Sequence, residues 1–312
     1  MIGPPSHLSL PQIIVICGPT GSGKSAFAVE LAHWLGGEIV GADSMQIYRH
    51  MDIGTAKPTL EERRRVAHHM IDIVDPDEGF DAVQFSDRAR KTIAALNSRG
   101  RPSFVVGGTG LYIKALLHGL FQSESVDPII RSRLRQELAQ SGSSFLYERL
   151  KQIDPDAAGR LHPNDSYRIM RALETIASTG RSISKHQQEH GFEDDPFKAL
   201  KIGLRIDRAQ LYERIDQRVN LMIQAGWVGE VKKLLAMGYT AQLKSMQSIG
   251  YRHLVGFLLQ THSWEACVRT LKRDTRRFAK RQLTWFGADP QINWFAPQQL
   301  NEIIGLVGEF LD

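Results

Sequence analysis

GPTGSGKS, residues 18–25, follows an apolar, β-branched run at 13–17 and precedes Phe27, Ala28, Leu31 and Leu35 at helical spacing. Strand, glycine-rich loop and helix succeed one another, which is the context in which the pattern G-x-x-x-x-G-K-[ST] has physical meaning. Gly18, Gly21 and Gly23 let the backbone wrap an anion, and the helix N-terminus turns amide N–H groups toward it. Pro19, Thr20 and Ser22 complete the loop, Lys24 supplies a positive charge, and the Ser25 hydroxyl can hold Mg²⁺. The octapeptide predicts diphosphate chemistry and leaves the identity of the phosphate compound open.

Outward from the loop, residues 38–41 read as a short strand ending at Ala42, Asp43 and Ser44. Asp43 thus falls at a carboxyl end, the edge where open α/β sheets place their ligands. Residues 54–58 are a loop, and residues 68–76, with Ile71, Ile73 and Val74, predict another strand. Residues 80–97 predict a helix with Val83, Ala89, Ile93 and Leu96 on its apolar face. Residues 102–106 predict a strand leading into a second glycine turn, Gly107, Gly108, Thr109 and Gly110, which opens a helix. The pattern is that of an α/β fold with a parallel, doubly wound sheet.

From about 123 to 196 strand signals vanish, and short, individually capped helices are expected. Asp127 before Pro128 and Asp154 before Pro155 pair an N-cap with proline at the first helical position. Asp165 caps a third helix whose apolar face is Ile169, Leu173, Ile176 and Ala177, and Gly180 ends it. Residues 200–206 return to strand character, and long helices fill the remainder. The expected organisation is a core of residues 1–122 and 197–312 interrupted by a helical insertion, 123–196.

With 312 residues and 42% hydrophobic content the chain can bury a full core. Cys17 and Cys267 are the only cysteines, too few for a disulfide framework or a cysteine zinc site, which favours a reducing compartment. The first eleven residues lack a basic segment followed by an apolar one, and no window approaches the ~18 uninterrupted apolar residues of a membrane span. The expectation is a cytoplasmic protein with a short leader, no membrane contact and, since nothing demands a partner chain, a monomer.

A net charge of +5 suits a polyanionic partner, and its distribution sharpens that. Between 269 and 281 there are Arg269, Lys272, Arg273, Arg276, Arg277, Lys280 and Arg281 against one acid, Asp274. Val268, Leu271, Thr275 and Phe278 recur at three and four and predict the inward face. The aromatic pair Trp285 and Phe286 follows directly, and the insertion adds Arg131, Arg133, Arg135, Tyr167, Arg168 and Arg171. Such a run is commonly a solvated surface. Cations interleaved with aromatics are also how looped RNA is held.

The informative absence is an acidic strand end. Nucleotide hydrolases usually carry one to position Mg²⁺, yet residues 103–106 run into Gly107, Gly108 and Thr109. An acid does follow the second strand, in DSMQIY, where Asp43 can serve as a base toward a second substrate. That suits a diphosphate leaving group better than a transferred γ-phosphoryl. An ATP-dependent small-molecule kinase and a non-catalytic RNA-binding protein remain as alternatives.

GPTGSGKS, DSMQIYRHMDIGTAKP, HHMIDI, GGTGLYIKALLHG, RIDQRVNLMIQAG, QSIGYRH and KRQLTWF occur in this order over almost the whole chain. Together they resemble the tRNA dimethylallyltransferases (tRNA isopentenyltransferases, bacterial type). The resemblance implies a P-loop NTPase-like core with a helical insertion contacting tRNA and a helical C-terminal part. It implies transfer of a dimethylallyl group from dimethylallyl diphosphate to the exocyclic N6 amine of adenosine 37, next to the anticodon, in tRNAs reading codons beginning with U. Mg²⁺ is the implied cofactor and the anticodon stem-loop the implied partner.

Residue roles follow by match. Asp43 corresponds to the base that takes the amine's proton; otherwise it would be a cap or an Mg²⁺ neighbour. Lys24 and the loop, with Thr20 and Arg218, correspond to the diphosphate site; by sequence alone Arg218 is an ordinary helical surface charge. Thr109 corresponds to a residue near the reacting adenosine and would otherwise be a helix cap. The implied tRNA path comprises Asp43, Ser44, Met45 and Gln46, whose amide both donates and accepts, with Arg131 in reach. It continues through Tyr167, Arg168, Ile169, Met170 and Arg171, then Ser248, Ile249, Gly250, Tyr251, Arg252 and His253. It ends with Lys280, Arg281, Gln282, Leu283, Thr284, Trp285, Phe286 and Gly287, the last standing where relatives often carry a basic residue. His68 and His69 read as structural, and the zinc-finger extension of eukaryotic relatives is not expected.

Overall fold

A computed structural model describes residues 10–120, 127–185 and 195–312. The chain divides into two compact units, one made of the residues up to Leu117 together with Asp195–Asp312, the other of His118–Asp194.

The first unit is built on a six-stranded, wholly parallel sheet in the order β3-β2-β4-β1-β5-β6. Its strands are β1 (Gln12–Cys17), β2 (Glu38–Gly41), β3 (His68–His69), β4 (Ser103–Gly107), β5 (Lys198–Leu204) and β6 (Asn293–Phe295). The central strand β1 is buried along almost its whole length, as its unbroken apolar run requires in a sheet covered on both faces. Helices α1 (Lys24–Trp34), α2 (Leu60–Arg65), α3 (Ala82–Asn97) and α4 (Gly110–His118) alternate with the first strands. Register aligns Cys17 with Gly107 and Gly41 with Val106, so the turns after β1, β2 and β4 emerge side by side. This is the switch point between neighbours β1 and β4, from which the chain runs to β2 on one side and to β5 on the other, and doubly wound sheets open their ligand crevice there.

Packing against the sheet is apolar and continuous. Ile14, Ile16, Phe104 and Ile202 join Phe27, Ala28 and Leu31 of α1 and Ile303 and Val307 of the C-terminal helix in one core. After β5 come α8 (Arg208–Gln224), α9 (Trp227–Ala236), α10 (Tyr251–Leu258) and α11 (Trp264–Gly287), and then α12 (Leu300–Leu311). Leu211 and Ile215 of α8 pack on Ala279 of α11, with Leu283 beside them.

The second unit is helical: α5 (Pro128–Ile153), α6 (Pro155–Gly159) and α7 (Ser166–Thr179). Asp127, Asp154 and Asp165 each accept a backbone N–H from the helix they open, and Gly180 closes α7 in the left-handed conformation (φ 68°). Leu134, Leu146, Leu150, Ile169 and Leu173 form the core.

Four expectations need correction. Only His68–His69 of the 68–76 run is a strand, because Met70 (φ 63°) and Asp72 (φ 55°) turn left-handed and leave Val74 a single bridge to Tyr48. The first insertion helix is not short: it continues to Ile153 through a break at Gly142 (φ 78°, ψ 173°). Strand β6 was not anticipated, being three residues at the edge of the sheet. On α11 the buried face is Cys267, Leu271, Ala279, Gln282 and Phe286, whereas Val268, Thr275 and Phe278 stay partly exposed. The boundary drawn at 122–123 lies outside the described residues, and the one drawn at 196–197 falls just after the undescribed residues 186–194.

Candidate active site

The phosphate loop leaves β1 through Gly18, Gly21 and Gly23, all with positive φ, and Gly23 starts α1. Lys24 folds back so that Nζ donates to the Pro19 carbonyl at 3.2 Å. Loss of hydration, and then Arg218, push Lys24 down to about 8, against the opposite pull of Asp43 and Cys17. Ser25 is exposed in the first turn of α1, and its hydroxyl makes no hydrogen bond among the described residues. Ser22 is fully buried, with Oγ lacking a partner among the described residues.

Beside this loop is a cavity of about 350 Å³. Thr20, Asp43, Ser44, Met45 and Thr109 line it from the strand ends, and Ile215, Arg218, Val219 and Met222 from one face of α8. Its remaining wall includes Trp227, Ser248, Ile249, Arg252, Thr275, Phe278 and Arg281. The lining mixes charged and hydroxyl groups with the apolar side chains of Met45, Ile215, Val219, Met222, Trp227, Ile249 and Phe278, the composition common in small-molecule sites.

Asp43 combines its two readings. Its Oδ1 accepts the backbone N–H groups of Met45 (2.8 Å) and Gln46 (3.3 Å), capping the turn after β2, while Oδ2 makes no hydrogen bond among the described residues. Thr109 does not spend its hydroxyl on its own helix: Oγ1 accepts the Ser44 N–H at 3.0 Å, joining the second glycine turn to the Asp43 turn. Arg218 has no ion-pair partner within 4 Å among the described residues. Burial lowers its pKa and Asp43 raises it. A carboxylate with a free oxygen, an arginine cation and Thr20 of the glycine-rich loop thus share one cavity.

Several expected RNA contacts take other roles. Gln46 has committed its amide, Nε2 donating to the carbonyls of Thr55 (3.2 Å) and Ala56 (3.1 Å), so only its oxygen can read a ligand. Ile169 packs in the core of the helical unit, with Met170 against that core. Gly250, Tyr251, His253, Gln282 and Phe286 are buried and Leu283 packs on α8, so none of them offers a side chain at the surface. Lys280, Arg281, Thr284, Trp285 and Gly287 are exposed. In the helical unit Tyr167 and Arg168 are exposed, and Arg131 and Arg171 are held by the buried carboxylate of Glu174 at 3.1 and 2.8 Å. His68 and His69 bond Val66 O and Glu38, as structural histidines do.

Glu230 is the main residue that sequence reading missed. Its carboxylate accepts the N–H groups of Asp52 and Ile53 (2.7 Å each) and Gly54 (3.1 Å), and the Tyr251 hydroxyl at 2.6 Å. It thereby fixes the Gly54–Thr55 rim of the cavity. No local pattern announces it. Arg218 did carry a signal: it lies within the stripe Ile215, Val219 and Met222, spaced for an inward helical face.

The family model described as IPP transferase matches residues 46–289. A tRNA dimethylallyltransferase of Desulfosudis oleivorans is 53% identical over 96% of both chains, and tRNA dimethylallyltransferase 2 of Syntrophus aciditrophicus is 52% identical over 96% of this chain and 97% of its own. The crystal structure of the tRNA isopentenylpyrophosphate transferase of Bacillus halodurans superposes with a TM-score of 0.72 at 39% identity, covering 96% of this chain and 97% of that one. A eukaryotic dimethylallyltransferase acting on tRNA gives a TM-score of 0.80 at 28% identity, over 96% of this chain and 79% of that one. The readings as an ATP-dependent kinase or a non-catalytic RNA-binding protein gain no support from these relatives. The family match over most of the chain and the full-length similarity to these relatives place it plainly: the chain belongs to the IPP transferase family.

Proposed function

We propose that this protein is a tRNA dimethylallyltransferase that moves a dimethylallyl group from dimethylallyl diphosphate to N6 of adenosine 37 in tRNAs reading codons beginning with U. The observation that carries this reading is the single cavity in which Thr20, Asp43, Thr109 and Arg218 meet.

The adenine amine is a weak nucleophile because its lone pair is delocalised into the ring. As N6 bonds to C1 of the prenyl group, the C1–O bond breaks and its electron pair leaves with diphosphate. Asp43 takes the N6 proton, for which Oδ2 is available. Negative charge growing on the diphosphate is met by loop N–H groups, Lys24 and Arg218. The apolar wall of Ile215, Val219, Met222 and Phe278 suits the five-carbon tail. The adenosine must leave the anticodon stack to enter, at a cost of a few kcal/mol offset by contacts in the pocket.

The residues fit Mg²⁺ in one specific way. No group of three or more His, Cys, Asp or Glu side chains suited to a metal exists among the described residues. A hard cation would therefore rest on the exposed Ser25 hydroxyl and on substrate oxygens. When bound it neutralises charge on the departing diphosphate.

The proposed setting is the cytoplasm, in keeping with two free, buried cysteines and no described helix long and apolar enough to cross a membrane. The proposed acting form is a monomer working on one anticodon stem-loop.

The test combines the protein with dimethylallyl diphosphate, Mg²⁺ and an unmodified anticodon stem-loop, read by mass spectrometry. An added prenyl mass with release of diphosphate is expected. Asp43→Ala abolishes transfer and leaves RNA binding within a few-fold. Folded wild-type protein that forms no adduct overturns the assignment, and near-wild-type transfer by Asp43→Ala removes that residue as the base.

A further inference from the structure

Asp274 is the one acid between Arg269 and Arg281, and it is nearly buried among cations. Its Oδ2 accepts from Arg252 Nη2 at 2.8 Å and faces His253 Nε2 at 3.2 Å. Its Oδ1 accepts from Arg273 Nε at 2.9 Å, and Arg277 Nη1 is 3.9 Å away. Although burial opposes ionisation, these partners hold the carboxyl down to about 2.

The other side of the imidazole fixes its proton. His253 Nδ1 faces the Gly250 N–H at 3.2 Å. An amide N–H can only donate, so Nδ1 carries a lone pair, Nε2 carries the proton, and that proton is donated to Asp274. Burial, then Arg252, with a smaller push from Arg273, lower the His253 pKa against Asp274's opposing pull, in keeping with a neutral ring.

Gly250 needs that support. It precedes α10 at φ 96°, where a β-carbon would collide with the Trp227 indole. Ser248 and Ile249 just before it, and Arg252 just after, line the cavity. We propose that Asp274 is a positioning residue for the transfer reaction. It fixes Arg252 directly and sets the His253 tautomer, and through the His253–Gly250 bond it holds the Ser248–Ile249 wall.

The kinetic consequence rests on the transferase reading above, whereas the tautomer does not. A carboxylate that merely balanced charge would give a distinct result: removing it adds one positive charge, so RNA would bind more tightly with a steeper salt dependence and turnover would be unchanged. The positioning role instead predicts poorer transfer in spite of the added charge.

The experiment pairs long-range ¹H–¹⁵N NMR of the histidine rings in the wild-type protein with kinetics and salt-dependent RNA binding of Asp274→Asn and Asp274→Glu. Expected are a His253 ring unprotonated at Nδ1, and for Asp274→Asn a kcat/KM lower by on the order of tenfold or more, the scale of a small misplacement in a site. RNA affinity should be equal or higher, and Asp274→Glu should recover part of the activity. A wild-type His253 protonated at Nδ1 overturns the proposal without any variant having to fold. So does an Asp274→Asn enzyme with wild-type kcat/KM. If the wild-type protein transfers no prenyl group, the transferase reading fails and the NMR result still decides the relay.

Discussion

Gln282 on α11 accepts the backbone N–H of Thr20 in the phosphate loop at 2.8 Å, across 262 residues of sequence. The same side chain donates from Nε2 to the Gly108 carbonyl at 2.8 Å, so one amide ties the two glycine turns of the site together. Gln282→Ala orphans both groups. An unsatisfied buried polar group costs on the order of 1–3 kcal/mol, and with Thr20 partly exposed the expected loss is about 2 kcal/mol in urea unfolding. The kinetic signature is a raised KM for the diphosphate substrate, because the loop loses its anchor. Unchanged stability and KM together would show that the bridge is incidental.

Lys24 provides a pH test. With its folded value down at about 8, it is charged below that pH and neutral above it. The KM for dimethylallyl diphosphate therefore rises as pH climbs through about 8, and binding there takes up protons, visible as a buffer-dependent heat in calorimetry. Lys24→Arg keeps its charge and removes the alkaline limb. For stability the sign is set by the unfolded chain, which binds more protons between about 8 and 10.5, so this group makes the fold more stable as pH rises across that window.

Gly107 and Gly110 separate a rigid close approach from a yielding one. A β-carbon on Gly107 would strike the backbone of Ala42, which cannot move without shifting β2. On Gly110 it would meet the indole of Trp285, a residue 49% exposed and so facing solvent into which the ring can shift, instead of a backbone. Gly107→Ala should cost about 3 kcal/mol, at the upper end for overpacking, and Gly110→Ala under about 1 kcal/mol. Thermal melts of the two variants test the contrast, and equal losses would contradict it.

Glu230 holds the cavity rim through three backbone N–H groups and the Tyr251 hydroxyl. Burial, then the Glu230 charge, push that hydroxyl's pKa up, so it stays a donor throughout the working range. Glu230→Ala should lose about 2 kcal/mol and lower kcat/KM, whereas Tyr251→Phe, which removes one bond, should cost about 1 kcal/mol. Protection of the Asp52, Ile53 and Gly54 amides in hydrogen exchange is the direct readout and should fall in Glu230→Ala alone.

What the sequence settled is local or periodic. The phosphate loop is contiguous, and its glycines and lysine announce themselves by spacing. Strands β1, β2, β4 and β5 are legible because buried parallel strands are unbroken apolar runs. Asp127, Asp154 and Asp165 are legible as caps because the donors they satisfy lie two or three residues away. Left-handed Met70 and Asp72 defeated the same reasoning, since apolar neighbours mask a backbone that has turned away from the strand.

Tertiary structure decided everything that depends on partners distant in the chain. Gln46 reads in sequence as a free amide, and the loop at Thr55 and Ala56 has already taken its donors. Arg218 reads as a surface charge, yet the packing of α8 turns it into the cavity with Asp43. Gln282 and Glu230 look like ordinary polar residues on helices, because a hydrogen bond across 100 or more positions leaves no trace in spacing, and Asp274 looks the same because Arg252 and His253 sit on a different helix. The sequence thus determined which chemistry the chain carries. The fold determined which side chains meet that chemistry and which only hold it in place, because burial and hydrogen-bond satisfaction are properties of neighbours in space.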